Sequence, residues 1–298
     1  VLTSAFCNLV NNFMETFSTF IDPDELYKLQ NQKNLVIIDC RFDLINPKWG
    51  YQDYLKNHIP NAIYAHLDKD LSGSITEETG RHPLPEPDKF IKTCSNWGID
   101  EHKQVVVYDT TSGSFASRLW WMLNYYGHKN VAILNGGFSS WLESGYPLES
   151  GNVQPQPSKF IGSPDPELMK TTSQMETIIF NPDYTIIDAR SRERYLGLEE
   201  PLDKIAGCIP NAINFFHQNN LDANGNLLPV EELQEKFNDL LEGKNNTSKV
   251  VYCGSGVTSC LNFAVMQHIG IKQIHLYLGS WSEWIRNPNH PVISENIS

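Results

Sequence analysis

Short, almost uninterrupted apolar segments alternate along the chain with longer segments in which apolar residues recur every three or four positions. The apolar segments, typical of strands buried on both faces, lie at 35–39, 104–109, 131–134, 185–188, 250–253 and 274–277. The periodic segments, typical of helices with one buried face, lie at 87–97, 115–126 and 230–241. This alternation predicts an α/β fold in which parallel sheets are flanked by helices on both faces.

The pattern occurs twice in the chain. Four short motifs recur in the same order and at a nearly constant separation: 35–39 with 184–188, 58–62 with 208–212, 105–109 with 249–253, and 135–141 with 278–284. A repeat of this length is typical of a duplicated domain. Residues 145–166 are rich in Pro, Ser, Gly and Gln and show no periodicity, so we predict domains at 20–147 and 171–298, joined by a linker at 148–170.

Composition and charge exclude several classes of protein. The 298 residues include 23 basic and 35 acidic ones, and the net charge of −12 argues against nucleic acid or an anionic membrane as the main partner. No apolar run is long enough for a membrane span. Residues 1–13 precede the first Met and are left out of the fold prediction. Because no basic residue precedes Lys28, neither a secretory nor a transit pattern is present, and a cytoplasmic protein is expected.

The six cysteines are scattered and form no Cys-x-x-Cys pair. Free thiols in a reducing compartment are therefore expected, with no zinc site. One of these cysteines stands out by its context. Cys253 ends a predicted strand, two glycines follow at 254 and 256, and a helix is predicted to begin near Thr258. Ligands of open α/β sheets bind beyond the carboxyl ends of the strands.

Such a loop directs successive backbone N–H groups toward one point, close to the positive end of a helix. We therefore expect Gly254, Gly256, Val257 and Thr258 to help surround an anion at Cys253. This environment lowers a thiol pKa and stabilises a nucleophilic thiolate or a persulfide. The alternative is that Cys253 is a small buried apolar residue, although such a residue does not require a Gly-x-Gly turn after it.

Three other chemistries do not fit this loop. A cysteine phosphatase needs an arginine six positions after the cysteine, where this chain has Ser259. A nucleophile elbow places the nucleophile between the two glycines, which is not the spacing found here. No Gly-x-Gly-x-x-Gly fingerprint of a dinucleotide site follows the first strand.

The paired halves resemble the tandem rhodanese-domain sulfurtransferases over essentially all of residues 20–290. The motifs that carry the resemblance are His58-Ile-Pro-Asn-Ala62, Arg81-His-Pro-Leu-Pro85, Trp120-Trp-Met-Leu123, Asn135-Gly-Gly137, Asp188-Ala-Arg190, Arg194-Tyr-Leu-Gly197 and the Cys253 loop. The resemblance implies two rhodanese-like domains, of which the first is catalytically silent. Asp109, which stands at the position equivalent to Cys253, fits this implication because a carboxylate cannot carry a sulfane sulfur.

Within this family, the loop after the cysteine distinguishes subtypes. Members that use thiosulfate have cationic side chains there, whereas members of the 3-mercaptopyruvate type have Cys-Gly-Ser/Thr-Gly-Val-Thr, as this chain does at 253–258. The resemblance therefore implies 3-mercaptopyruvate as the sulfur donor and Arg194 as the ligand of its carboxylate. The second arginine that usually follows a Glu-Pro segment is missing, and Lys204 is the candidate to replace it.

The resemblance also suggests how the donor is activated. Ser255 is expected to donate its hydroxyl to the donor thiol or to the developing enolate, with His58 of the first domain as its partner. His58 has an alternative role as a structural residue of the His-Ile-Pro turn. Arg190 is expected to form a structural ion pair with Asp188, and the tryptophans of the two halves are expected to pack in the core.

The expected reaction transfers sulfur in two covalent stages and requires no metal or organic cofactor. Thiols, thioredoxin or cyanide are the expected acceptors. Two alternatives stay open, namely thiosulfate as the donor and a rhodanese-like binding module that has no catalytic activity.

Overall fold

The computed structural model describes residues 16–295, which form two five-stranded sheets with identical topology. The strands are β1 Phe20–Ile21, β2 Leu35–Asp39, β3 Ile63–Tyr64, β4 Gln104–Tyr108, β5 Val131–Leu134, β6 Met169–Lys170, β7 Tyr184–Asp188, β8 Ala212–Asn214, β9 Ser248–Tyr252 and β10 Ile274–Tyr277. Their orders are β1-β5-β4-β2-β3 and β6-β10-β9-β7-β8, and every pair is parallel. The predicted α/β fold with two parallel sheets is confirmed. The segment 1–13 lies outside the described residues.

Helices cover both faces of each sheet. The helices are α1 Pro23–Leu29, α2 Trp49–Tyr54, α3 Leu67–Asp70, α4 Pro87–Asn96, α5 Ala116–Tyr125, α6 Gly137–Glu143, α7 Thr172–Ile178, α8 Arg192–Leu196, α9 Val230–Leu240, α10 Ser259–His268 and α11 Ser280–Trp284. The three helices predicted from periodicity are α4, α5 and α9. No helix within residues 16–295 combines the length and the apolar character that crossing a membrane requires.

The two domains share one apolar core. Helix α5 of the first domain is buried along its whole length and packs against α10 of the second, with the ring centroids of Trp120 and Phe263 6.2 Å apart. A single cluster of buried apolar side chains extends across this contact. The predicted core tryptophans Trp120, Trp121, Trp281 and Trp284 are completely buried. Because burial of apolar area is the main stabilising force in folding, this contact holds the domains together.

The chain between the domains is largely irregular, as predicted, but the last two residues of the predicted linker, Met169–Lys170, form β6 and pair with β10. Strand β6 is therefore an edge strand of the second sheet. The central strand is β4 in the first sheet and β9 in the second. The loops that follow these two strands, after Tyr108 and Tyr252, therefore lie at the middle of the edge formed by the carboxyl ends of the strands. These two loops begin with Asp109 and Cys253.

Candidate active site

The loop between β9 and α10 has a shape that only its own glycines allow. Gly256 has a φ of +72°, and a Cβ built on it would lie 2.2 Å from the carbonyl oxygen of Leu278. A Cβ on Gly254 would lie 2.7 Å from Nη2 of Arg81. Glycine at 256 is thus required by the backbone conformation, and glycine at 254 leaves room for a cationic side chain close to Cys253.

The Cys253 thiol is buried and surrounded by hydrogen-bond donors. It is 2% exposed, and the Ser259 hydroxyl donates to its sulfur at 3.4 Å. Burial raises the pKa of Cys253, but the hydroxyls of Ser259 and Thr258 and the N–H groups of Ser255 and Ser259 outweigh it and lower the pKa to about 7. A substantial fraction of this thiol is therefore ionised near neutral pH.

The other described cysteines have the opposite character. Burial raises the pKa of Cys208 to about 11 and raises the pKa values of Cys40, Cys94 and Cys260 as well. Among the cysteines at 16–295, Cys253 is therefore the one whose pKa is lowered. Reactivity of a thiol follows its thiolate fraction, so Cys253 is the candidate nucleophile among these cysteines.

We expect the rate of Cys253 alkylation by iodoacetamide to rise tenfold per pH unit below about pH 7 and to level off above it. A protonated thiol is a poor nucleophile, so the thiolate fraction controls the rate. Mass spectrometry of the alkylated peptides identifies the modified residue. A midpoint near 9, the ordinary value, would contradict the site described here.

The predicted loop residues contribute in different ways. The N–H of Ser255 and the hydroxyl of Thr258 act on the Cys253 sulfur, whereas Val257 is 3% exposed and packs into the apolar core. The carbonyl groups of Gly254 and Gly256 accept hydrogen bonds from the Ser282 N–H and from Arg118 respectively. Ser259, the first residue of α10, also donates to the sulfur through its hydroxyl and its N–H group, a role that the loop motif does not predict.

Two guanidinium groups meet above Gly254. Arg194, on α8, binds Glu200 through Nε at 3.1 Å and through Nη2 at 2.6 Å, and its Nη2 lies 3.4 Å from the Cβ position of Gly254. Arg81 comes from the first domain and binds Asp203 with two hydrogen bonds of 3.0 Å. Asp203 also lies 3.4 Å from Nη2 of Arg194 and therefore connects the two arginines.

Arg81, rather than Lys204, is the cation that lies beside Arg194 at Gly254. Lys204 is exposed, and the structure gives it no hydrogen bond or ion pair within the described part of the chain. In the sequence, Arg81 stands out only as the first residue of the motif Arg81-His-Pro-Leu-Pro85, which by itself indicates no role for it. Each guanidinium uses Nε and Nη2 to bind its carboxylate, so Nη1 of Arg81 and Nη1 of Arg194 have no hydrogen bond within the described residues and can donate to an anion.

A histidine of the first domain contacts Ser255, but it is His82. Nδ1 of His82 lies 2.8 Å from Oγ of Ser255, and its Nε2 lies 3.5 Å from Asp68. Burial lowers the pKa of His82, whereas its hydrogen bond to Asp68 lowers the pKa of that carboxyl group. In the neutral form of His82, the single ring proton lies on Nε2 and faces Asp68. Nδ1 then accepts a hydrogen bond from the Ser255 hydroxyl and can take up its proton.

His58 lies elsewhere, and the expected contact between His58 and Ser255 is wrong. The ring of His58 is fully buried, stacks on Tyr54 at 4.2 Å and bonds through Nδ1 to the Tyr54 carbonyl at 2.9 Å. Its backbone pairs with Glu149, and its Nε2 is 4.0 Å from that carboxylate. These contacts hold the turn after α2, which is the structural alternative stated above.

The corresponding loop of the first domain is occupied by its own side chain. The Asp109 carboxylate accepts four hydrogen bonds of 2.7 to 2.9 Å from the N–H groups of Thr111, Gly113, Phe115 and Ala116. This loop has the same arrangement of inward N–H groups as an anion site, but the anion is covalently part of the chain. The Asp109 carboxylate therefore takes up N–H groups that would otherwise face an external anion, and the loop has no cysteine.

Arg190 forms the expected ion pair. Its guanidinium binds Asp188 at 2.6 Å, and it also contacts Glu200 at 3.3 Å. Glu200 thereby links this buried pair to Arg194, so the position of the Arg194 side chain is fixed by a network that starts at the end of β7.

Fold and site together define a two-domain α/β protein that has a thiol of lowered pKa at the end of a central strand. The family model described as "Rhodanese-like domain" matches residues 22–144 and 171–287. The chain belongs to the rhodanese-like domain family, and the resemblance found in the sequence is confirmed.

Three relatives illustrate this membership. The chain is 39% identical over 264 residues to a probable 3-mercaptopyruvate sulfurtransferase of Pseudomonas aeruginosa, covering 88% of this chain and 93% of that protein. It is 36% identical over 261 residues to a putative thiosulfate sulfurtransferase of Mycobacterium tuberculosis, covering 86% and 89%. The solved structure of 3-mercaptopyruvate sulfurtransferase from Leishmania major superposes with a TM-score of 0.78 and 32% identity, covering 90% of this chain and 74% of that one.

Proposed function

We propose that this protein is a sulfurtransferase that moves a sulfane sulfur from 3-mercaptopyruvate to a thiol or cyanide acceptor and releases pyruvate. The observation that carries this proposal is the lowered pKa of Cys253 together with two guanidinium groups that lie against the next residue, Gly254, on a loop that has no cationic side chain of its own. Relatives named for 3-mercaptopyruvate support the same donor.

The geometry gives each residue a part in the first half-reaction. The donor carboxylate binds Arg194 and Arg81, which places its sulfur next to Cys253. The Cys253 thiolate attacks that sulfur, the carbon–sulfur bond breaks, and its electron pair passes to the carbon to form the enolate of pyruvate. The proton of the donor thiol passes through Ser255 to His82 and returns to the enolate carbon, so pyruvate leaves and a persulfide anion stays on Cys253.

The second half-reaction regenerates the thiolate. An acceptor anion attacks the outer sulfur of the persulfide, the sulfur–sulfur bond breaks, and Cys253 leaves as a thiolate. The low pKa of Cys253 favours this step as well, because a more acidic thiol is a better leaving group. Thioredoxin, other thiols and cyanide all have the chemistry that this step needs.

The described cysteines are all free, and on this ground we also propose a cytoplasmic setting, where thiols stay reduced.

The test compares the two candidate donors in the same steady-state assay. We expect higher kcat/KM with 3-mercaptopyruvate than with thiosulfate, because the site offers cations for a carboxylate away from the sulfur and neutral donors near it. Equal or higher kcat/KM with thiosulfate would make thiosulfate the donor of this protein, which is the donor in the name of its relative from Mycobacterium tuberculosis. Mass spectrometry after mixing with 3-mercaptopyruvate tests the non-catalytic alternative, since a binding module gains no sulfur atom on Cys253.

The two histidines provide a separate prediction. His82→Asn is expected to lower kcat with 3-mercaptopyruvate by about 10² or more, because it interrupts proton transfer through Ser255. His58→Asn is expected to lower the thermal midpoint while the folded protein keeps its kcat, because His58 contacts Tyr54 and Glu149 rather than Ser255. Steady-state kinetics and thermal unfolding of both variants check this. The reverse pattern would restore His58 to the site.

A further inference from the structure

Arg118 of the first domain is a buried arginine that touches the active-site loop of the second domain. It lies on α5 and has no exposed surface. Its guanidinium donates to the carbonyl of Gly256 at 2.9 Å, to that of His82 at 3.1 Å and to that of Leu71 at 3.2 Å. Arg118 therefore connects the Cys253 loop with the segment of the first domain that carries His82, the hydrogen-bond partner of Ser255.

This arginine has no carboxylate partner among residues 16–295, unlike the other arginines buried in the core. Arg41 pairs with Asp39, and Arg190 pairs with Asp188. Taking a charge out of water without a counter-charge costs several kcal/mol, on the order of the stability of a whole domain. Carbonyl groups recover part of this cost, but they provide no negative charge.

The charges that act on Arg118 belong to two thiols. Burial lowers the pKa of Arg118, whereas the charges of Cys260 and Cys253 raise it. Burial raises the pKa of Cys260 far above neutrality, so this thiol carries no charge. Arginine stays protonated at every physiological pH, so Arg118 and ionised Cys253 form an opposite-charge pair.

The other cations around Cys253 are already balanced. Arg81 is paired with Asp203, Arg194 with Glu200, and His82 is neutral and faces Asp68. In the described part of the chain, Arg118 is thus the cation near Cys253 whose charge no carboxylate neutralises. A charge of this kind is available for an anion formed during the reaction.

We propose that Arg118 is a positioning residue of the silent domain that fixes the Cys253 loop through Gly256 and supplies the buried positive charge for the Cys253 thiolate and persulfide. The persulfide part rests on the proposed sulfur transfer. The thiolate part does not, because alkylation of Cys253 requires no sulfur donor, so failure of one can be distinguished from failure of the other.

The experiment measures the pH dependence of Cys253 alkylation by iodoacetamide in Arg118→Met, Arg118→Gln and Arg118→Lys. In the two neutral variants, we expect the midpoint to rise by about one pH unit or more, so that alkylation at pH 6 is at least about tenfold slower. The lysine variant keeps the charge and is expected to keep the midpoint, while its kcat falls because an ammonium group cannot hold all three carbonyls.

Lys129→Met is the matched control. Lys129 is an exposed lysine just beyond α5 that also donates to a backbone carbonyl, that of Asn124. Its removal changes the net charge of the protein by the same amount and should leave the midpoint unchanged. An equal shift in this control would show a general charge effect and overturn the proposal.

Two further outcomes would also overturn it. A wild-type midpoint in the neutral variants would limit Arg118 to a role in packing, even if activity is lost. Arg118→Gln keeps an N–H donor for the Gly256 carbonyl, so it can fold even if Arg118→Met does not. If neither neutral variant folds, Arg118 serves the stability of the domain contact rather than the thiolate.

Discussion

Cys253→Ser is expected to reduce sulfur transfer by at least about 10⁴-fold while the protein stays folded. A serine hydroxyl fits the space of the thiol and can keep its hydrogen bond with Ser259, so packing changes little. The hydroxyl does not ionise near neutral pH, and it can form no persulfide. Steady-state assay with 3-mercaptopyruvate measures the loss, and mass spectrometry should show no added sulfur on the variant.

Cys260→Ser is the matched control for this variant. Cys260 is also fully buried, lies on α10 directly after the Cys253 loop, and donates to the Gly256 carbonyl at 3.5 Å, a bond that serine can make. Its thiol stays protonated at neutral pH because burial raises its pKa. We expect this variant to keep its activity and its ability to gain a sulfur atom. Sulfur transfer by Cys253→Ser at a rate near that of the wild type would refute the covalent mechanism.

The larger elements of the fold could be predicted because each leaves a local pattern. Strands such as Leu35–Asp39 and Gln104–Tyr108 are buried on both faces, so their apolar runs are continuous. The edge strands Phe20–Ile21 and Met169–Lys170 have two residues each, which is too few for any periodicity. They are defined by pairing with β5 and β10, which is a property of the folded chain.

Local sequence pattern predicts the candidate site only in the Cys253 loop, and Arg194 enters the prediction through the family resemblance. The thiol and its two glycines are adjacent in sequence, so the local conformation they require can be inferred from their types. Arg81, His82 and Asp68 reach the site because α5 and α10 pack the domains together, and no local pattern marks a contact between residues so far apart in the chain. The motif beginning at Arg81 was the available signal, since it combines a cation and a histidine.

The error at His58 has a related cause. The Ile-Pro-Asn-Ala segment occurs in both halves because both need the same turn, and Asn61 and Asn211 have φ values of +65° and +61° in it. A residue beside a repeated structural turn is thus more informative about the turn than about catalysis. By contrast, Asp109 and Cys253 differ between loops of the same shape, and this difference is the basis for predicting that the first domain is silent and the second is active.

Arg194→Ala is expected to lower kcat/KM for 3-mercaptopyruvate by about 30- to 1,000-fold, equivalent to about 2–4 kcal/mol. The guanidinium of Arg194 is largely shielded from water. The carboxylate of bound 3-mercaptopyruvate is therefore also desolvated, and it is strongly destabilised when it loses this partner. Arg81→Ala should show a loss of the same kind, because both guanidinium groups face the space above Gly254. Arg194→Lys is expected to recover only part of the activity, since an ammonium group cannot make two parallel hydrogen bonds.

A pair of alkylating reagents tests the same site without a sulfur donor. Iodoacetate carries a carboxylate, whereas iodoacetamide is neutral and of nearly the same size. In the wild type, Arg194 and Arg81 should favour iodoacetate relative to the ratio for a free thiol, and Arg194→Ala should reduce that ratio. Arg192→Ala, which removes an exposed arginine of the same helix, is the control and should leave both the ratio and kcat/KM unchanged. A normal kcat/KM and an unchanged ratio in Arg194→Ala would place the donor carboxylate elsewhere, because a cation that binds it must affect both measurements.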